Sequence, residues 1–342
     1  VRKDLDVAVV LRLRDQLTGE LAGATSKVDA TLGKLSNAGR GMTVAGAAIS
    51  GAFAVGFAKA SEFNTALAQV STLVDTSTVS MAAFKDGIND LSVETGQSAT
   101  SLASGLYQAI SAGVETGDAL EFIGVAAKAA VGGTTDTLTA VSGLTSVLNA
   151  YNLEASEVTD VADAMFMAVV KGRTNFEELS ASIGRVTPMS SAMNITYQDT
   201  IGLLAAMTTR LANTAEATTA LRMTLQAISA PTPQAEEAAR GMSIEFNQAA
   251  MEAKGLVPFL NDIATATGGD IDKLKLLFGS IDAVNGVLAV TGKNAEDTAA
   301  ILAAMGDSTG AAAKAYEKMA DEEGAAVDRM MRSLELLARS FG

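Results

Sequence analysis

Carboxylates are the only side chains in this sequence with the chemistry to move a proton near neutral pH or hold a cation. The 342 residues contain no His and no Cys. The commonest general base, the commonest metal ligand and every thiol are therefore missing. Serine–histidine catalysis, cysteine nucleophiles and zinc centres of the usual kind are excluded within this stretch. Adjacent carboxylates occur at Glu177-Glu178, Glu236-Glu237 and Glu322-Glu323. Neighbours in sequence do not share one face of a helix, so these pairs read as solvated surface. A glycosidase needs two carboxyls facing across a cleft, and no spacing here marks such a pair. Asp270, Asp272 and Asp282 lack the spacing of a calcium loop. Gly132-Gly133 and Gly268-Gly269 follow helical patterns and precede no Gly-Lys-Ser/Thr, so they read as helix stops, not phosphate cradles. The expectation is no enzyme, no cofactor and no metal.

What remains for the sequence to specify is packing. Hydrophobic residues make up 48% of the chain but aromatics only 4%, Trp is absent and there are four Pro. Ala, Val, Leu and Met must fill the interior, which suits closely spaced helices, and the scarcity of Pro leaves those helices uninterrupted. The fourteen Met supply adaptable interface contacts. A net charge of −14 argues against a specific nucleic-acid surface, which needs clustered Lys and Arg.

Between Leu91 and Ala230 the chain reads as one amphipathic helix after another. Thr116 precedes Leu120, Ile123 and Ala127; Thr134-Thr135 precede Leu138, Val141, Leu144, Leu148 and Tyr151; Ser156 precedes Val158, Val161, Met165 and Val169, with Gly172 after them. Spacings of three and four place each set on one stripe, and the hydroxyl residues are suited to open a helix. Further helices are expected from Ala60 to Val74 through Phe63, Leu67 and Val70, and over 81–94 through Phe84, Ile88 and Leu91.

Within this region, Leu91-Ser92-Val93-Glu94-Thr95-Gly96, Ala99-Thr100-Ser101-Leu102-Ala103 and Gln108-Ala109-Ile110-Ser111-Ala112-Gly113-Val114 resemble the core of phage tail tape-measure proteins. Tyr151-Asn152-Leu153-Glu154-Ala155, Val161-Ala162-Asp163-Ala164-Met165, Asn175-Phe176-Glu177-Glu178-Leu179, Leu203-Leu204-Ala205-Ala206-Met207 and Ala220-Leu221-Arg222 with Pro231 continue the likeness in order. It extends more loosely from Phe63 to the C-terminus, through Ser308-Thr309-Gly310-Ala311-Ala312 and Ala315-Tyr316. The resemblance implies a non-enzymatic structural protein of the virion tail. Copies would form a homo-oligomer, a trimer or hexamer, in the lumen of the tail tube and set its length. Implied partners are the tail tube protein, tail assembly chaperones in the host cytoplasm, and tail tip or hub proteins. On infection the protein would be ejected into the host cell envelope, meeting the membrane, ahead of the DNA.

The flanks add further expectations. Residues 5 to 13 alternate in polarity and read either as a short strand or as the first turn of an amphipathic helix. Leu17, Leu21, Ala24, Val28, Thr31 and Leu35 repeat every four and three residues, a coiled-coil seam for self-association or the buried face of an ordinary helix. Residues 41 to 58 carry no charge and include Gly46, Ile49, Gly51, Phe53, Val55, Gly56 and Phe57. A spanning helix needs about 17–25 apolar residues, and small residues four apart also let helices pack closely. A membrane-active segment and a buried packing helix both fit. The rival to the tail reading is accordingly a membrane-perturbing or pore-forming helical protein.

The fold class expected is all-α, with successive amphipathic helices and helical hairpins in an elongated arrangement. The organisation expected is 1–40, a strand and coiled-coil-like helix; 41–60, an apolar Gly/Ala-rich helix; 61–232, the tape-measure core; and 233–342, a further helical region beyond Pro231-Thr232-Pro233. Helices there are expected near 256–267, 271–291 and 295–305. A last one starts near Thr309, with a weak point at Gly324. Its stripe of Met330, Leu334, Leu337 and Phe341 runs on to Gly342, as in a longer protein.

Overall fold

Helix starts in this chain are written in short polar side chains that accept the free N–H groups of a first turn. The computed structural model describes residues 60–77 and 79–340. There, Ser98 Oγ accepts from Ser101 N–H at 3.0 Å, Asn175 Oδ1 from Glu178 N–H at 2.8 Å, and Asn213 Oδ1 from Glu216 N–H at 2.9 Å. Each opens a helix whose apolar stripe faces the interior. In order, the helices are α1 (60–71), α2 (Met81–Thr95), α3 (Ala99–Ser111), α4 (Ala119–Gly132), α5 (Thr137–Tyr151), α6 (Val158–Lys171), α7 (Phe176–Ile183), α8 (Thr187–Ala192) and α9 (Tyr197–Thr208). They continue as α10 (Thr214–Ser229), α11 (Pro233–Gly241), α12 (Gln248–Lys254), α13 (Leu256–Thr267), α14 (Ile271–Phe278), α15 (Ile281–Val290), α16 (Ala295–Met305), α17 (Ala311–Ala320) and α18 (Glu323–Ser340). Among the described residues there is no strand, and the fold is all-α. The candidate strand at 5–13 lies outside them.

Several boundaries differ from those read in the sequence. Thr116, Thr134-Thr135 and Ser156 do not cap α4, α5 and α6. The N-cap of α5 is Asp136, whose carboxylate accepts Thr139 N–H at 2.9 Å and Thr139 Oγ1–H at 2.6 Å. A carboxylate accepts more strongly than a hydroxyl, and Thr134, at φ +52°, belongs to the exit of α4. Ser156 lies in a short 3-10 turn, Ala155–Glu157, closed by a reciprocal box between Glu154 and Glu157. Leu138, placed on the inward stripe of α5, is 39% exposed. The helix expected over 271–291 is two helices, because Gly279 turns left-handed at φ +73° and Ser280 then caps α15. The last helix also divides, between Ala320 and Glu323.

The packing is close because small residues line the contacts. α5 lies against α7 where a Cβ on Gly143 would come within 2.6 Å of Ser180 Cβ. α10 runs along α15 at Gly286, opposite Ala220 and Thr224, and α9 meets α16 at Gly202, opposite Leu302 and Met305. Helices from both sides of Pro231-Thr232-Pro233 thus pack together. Phe63, Phe122, Phe176, Ile88, Leu102 and Leu106 are fully enclosed, and Phe166 stacks on Phe176 with centroids 4.7 Å apart. Several buried Thr hydroxyls bond back to their own helix, Thr145 to Val141 O at 2.7 Å, Thr218 to Thr214 O at 2.8 Å and Thr291 to Val287 O at 2.7 Å, while those of Thr137, Thr200 and Thr214 bond across to Gln97, Tyr151 and Glu178.

Candidate functional site

The carboxylates that the sequence offers for chemistry are spent on helix starts and on the surface. Glu178, in the first turn of α7, accepts from Asn175 Nδ2–H at 3.1 Å and from Thr214 Oγ1–H at 2.7 Å, while Glu177 beside it is exposed. Glu236 and Glu237 are exposed near the start of α11, and Glu322 is exposed between α17 and α18. Asp270 caps α14 through Asp272 N–H at 2.9 Å and Lys273 N–H at 3.0 Å, and Asp282 sits in the first turn of α15. Anions at these positions meet the positive end of the helix dipole. Among the described residues, no group of three or more Asp or Glu could hold a metal ion, and no helix is long and apolar enough to cross a membrane. The packing residues Gly46, Ile49, Gly51, Phe53, Val55, Gly56 and Phe57 lie outside the described residues. So does the seam of Leu17, Leu21, Val28 and Leu35.

Titrating groups respond to local structure rather than to a shared site. Hydrogen bonds from Thr139 hold Asp136 below the ordinary aspartate value. Burial pushes the Tyr151 hydroxyl above the ordinary tyrosine range while it contacts Thr200 Oγ1 at 2.8 Å. Burial and nearby acids, Asp160 first, do the same to Tyr197, whose ring meets Tyr151 edge-on at 6.0 Å.

The most specific polar geometry is a junction of α4, α6 and α17. Asp163 on α6 is only 2% exposed, yet among the described residues no cation pairs with it. Its two carboxyl oxygens accept Gly310 N–H at 2.7 Å and Ala312 N–H at 2.8 Å, the free donors at the start of α17. Gly310 turns left-handed at φ +78° to present them. α17 then crosses α4 so closely that a Cβ on Gly132 would lie 2.9 Å from Tyr316 N. Tyr316 Oη donates to Glu94 O at 3.1 Å, and Lys128 Nζ pairs with Glu94 at 2.8 Å while lying 5.8 Å from the Tyr316 ring centroid. A cleft of about 440 Å³ opens beside this junction, with Phe166, Val170, Phe176 and Ala315 among its walls. The arrangement holds the start of α17 in place.

In the sequence, Asp163, Gly310 and Tyr316 stand out only as parts of the segments that resemble tape-measure proteins, with no role of their own. Nothing local marks what Asp163 binds, because its partner is 147 residues away. The one available signal is an Asp inside an otherwise apolar run, Val161-Ala162-Asp163-Ala164-Met165.

A probable tape measure protein of Clostridium phage phiCD119 is 31% identical over 320 residues, covering 89% of this chain and 34% of the relative. The tape measure protein of Pneumococcus phage Dp-1 is 25% identical over 339 residues, covering 96% of this chain and 29% of the relative. The chain thus spans about a third of the length of these relatives. No solved structure matches it. The family model for phage-related minor tail proteins matches residues 85–279, more than half of the 342 residues, and the chain belongs to that family, as its tape-measure resemblance indicated.

Proposed function

We propose that this chain is a structural part of a tail tape-measure protein. It sits in the lumen of the tail tube as a homo-oligomer, contributes to setting tail length and to scaffolding tube assembly, and is ejected ahead of the DNA on infection. Its partners are the tail tube protein, assembly chaperones, and the tip or hub proteins. The host envelope is met only after ejection. The observation that carries this reading is the likeness to two tape measure proteins over 89% and 96% of the chain. The structure supports it by what its helices are built for: packing through Gly, Ala and Thr contacts, with carboxylates committed to helix starts.

The longest of the described helices, α18, has 18 residues, a rise of about 27 Å. Distance along a tail is therefore not laid out by one continuous helix within residues 60–340. Either the packed helices serve as a block of fixed size or they are drawn out inside the tube. Deleting residues 60–340 in frame tests the length-setting role by electron microscopy of tails. Shortening is expected, by up to about 1.5 Å per removed residue if the segment is drawn out as helix. Tails of unchanged length would remove the segment from length control. Mass spectrometry of purified tails lacking its peptides would remove it from the tail.

A further inference from the structure

The helices α17 and α18 bury far less than the helices α4 and α6 beneath them. In α9, nine residues from Thr200 to Thr208 are buried. In α17 only Ala320 is, at 8% exposure, and no described side chain of α18 is buried. α17 rests on α4 and α6 through Ala311, Ala312 and Ala315, whose side chains bring little apolar area. What fixes the pair is a series of directional hooks onto distant chain. These are Asp163 to the N–H groups of Gly310 and Ala312, Tyr316 Oη–H to Glu94 O, and Arg332 Nε–H to Gly96 O at 3.0 Å. Beyond them, the Arg339 guanidinium lies 4.6 Å over the Phe63 ring of α1. Arg329 Nη2–H donates to Ala320 O at 2.8 Å, which ties the start of α18 to the end of α17.

We infer that α17 and α18 form a strap that opens and recloses as one unit while the helices beneath stay folded, and that the Asp163 carboxyl is its latch. Segments with few buried apolar contacts open at lower free energy than the core that supports them. The helices under the strap do not depend on it, since α4 buries Phe122, Ile123, Ala126, Ala127 and Ala130, and packs on α3 and α5 as well as on α17. Asp163 suits a latch because both its oxygens accept, and it meets the positive end of α17. An Asn in its place would turn an amide N–H toward one of the two backbone donors. The strap joins α16 through residues 306–310, where Gly310 already takes the left-handed conformation that a hinge can use.

Native-state hydrogen exchange followed by mass spectrometry on the whole chain tests this. Peptides covering 311–320 and 325–337 are expected to exchange together, and faster than those covering 119–131 and 158–170. Asp163→Asn should speed the first group about ten- to a hundredfold, the loss expected for a charge-assisted bond, and leave 119–131 unchanged. Tyr316→Phe, at a partly exposed position, removes a single hook and should speed the strap severalfold and nothing else. Exchange of the strap in step with α4 and α6, or uniform acceleration of all helices by both variants, would overturn the inference. If Asp163→Asn does not fold, Tyr316→Phe decides: acceleration confined to the strap supports the inference, and no such acceleration overturns it.

Discussion

At the scale of the residue, the chain's polar side chains work by placement. Asp136 shows this most simply: its carboxylate satisfies the first turn of α5, and Thr139 donates to it twice. Asp136→Ala should cost about 0.5–2 kcal/mol in urea unfolding at neutral pH, the range for a lost N-cap. The pKa of this group is lowered in the fold. Its contribution is therefore present above the unfolded aspartate value, near 3.9, and is lost as pH falls through the lower folded value. The gap between wild type and Asp136→Ala should close in that window. A gap that stays constant into strong acid would show that the carboxylate charge is not what caps α5. Glycines divide by the same reasoning. Gly143→Ala puts a methyl 2.8 Å from Ser180 Cα, where backbone rather than a side-chain tip must move, and should cost about 1–3 kcal/mol. Gly241→Ala, with nothing within 4 Å, should be neutral or gain up to about 1 kcal/mol. Equal effects of the two would mean that close approach is not what Gly143 provides. None of this was legible from residue type alone, because the sequence shows thirty-one glycines without showing what faces each of them.

At the scale of the element, helix existence was legible and helix ends were less so. Phe63, Leu67 and Val70, or Val141, Leu144 and Leu148, recur at helical spacing because burial requires it, and all are buried. Ends depend on local competition. Thr134-Thr135 and Asp136 could each have opened α5, and the carboxylate did. The run from Ile271 to Thr291 has apolar residues throughout, which conceals the break at Gly279. Pairing between elements was not legible, since α10 and α15 meet through Gly286, Ala220 and Thr224 across a long stretch of chain. That contact yields its own prediction. Gly286→Leu must push the helices apart, because even a Cβ there lies 3.1 Å from Ala220 Cβ and from Thr224 Oγ1. Thermal unfolding should show a loss of about 1–3 kcal/mol or more. Ala220→Gly in the same chain should restore part of it by making room on α10, and no restoration would place the damage elsewhere.

At the scale of the whole molecule, charge is the governing property that no single contact reveals. Against 39 Asp and Glu stand 25 Lys and Arg, so pairs such as Lys128–Glu94 and Arg210–Asp297 leave a net −14 uncompensated. Those pairs are also largely exposed, and exposed pairs contribute little, about 0–1 kcal/mol each. Repulsion acts over the Debye length, about 30 Å at 0.01 M salt but only about 8 Å at 0.15 M. A compact unit the size of the described residues 60–340 has a radius of gyration of about 19 Å by the usual scaling with chain length. At low salt nearly every surplus carboxylate therefore feels the others, whereas near physiological ionic strength it feels only its neighbours. Raising salt from 0.01 to 0.15 M should accordingly raise the melting temperature. A fall would mean that the screened ion pairs outweigh the screened repulsion. The same field repels phosphates, and a gel-shift with duplex DNA at about 0.05 M salt should show no complex, since binding there is driven by basic residues displacing counterions. A shifted band would reveal a basic surface that the overall composition conceals. A protein proposed to leave a narrow tube just ahead of the genome has reason to be acidic: attraction to DNA would hold back its own exit.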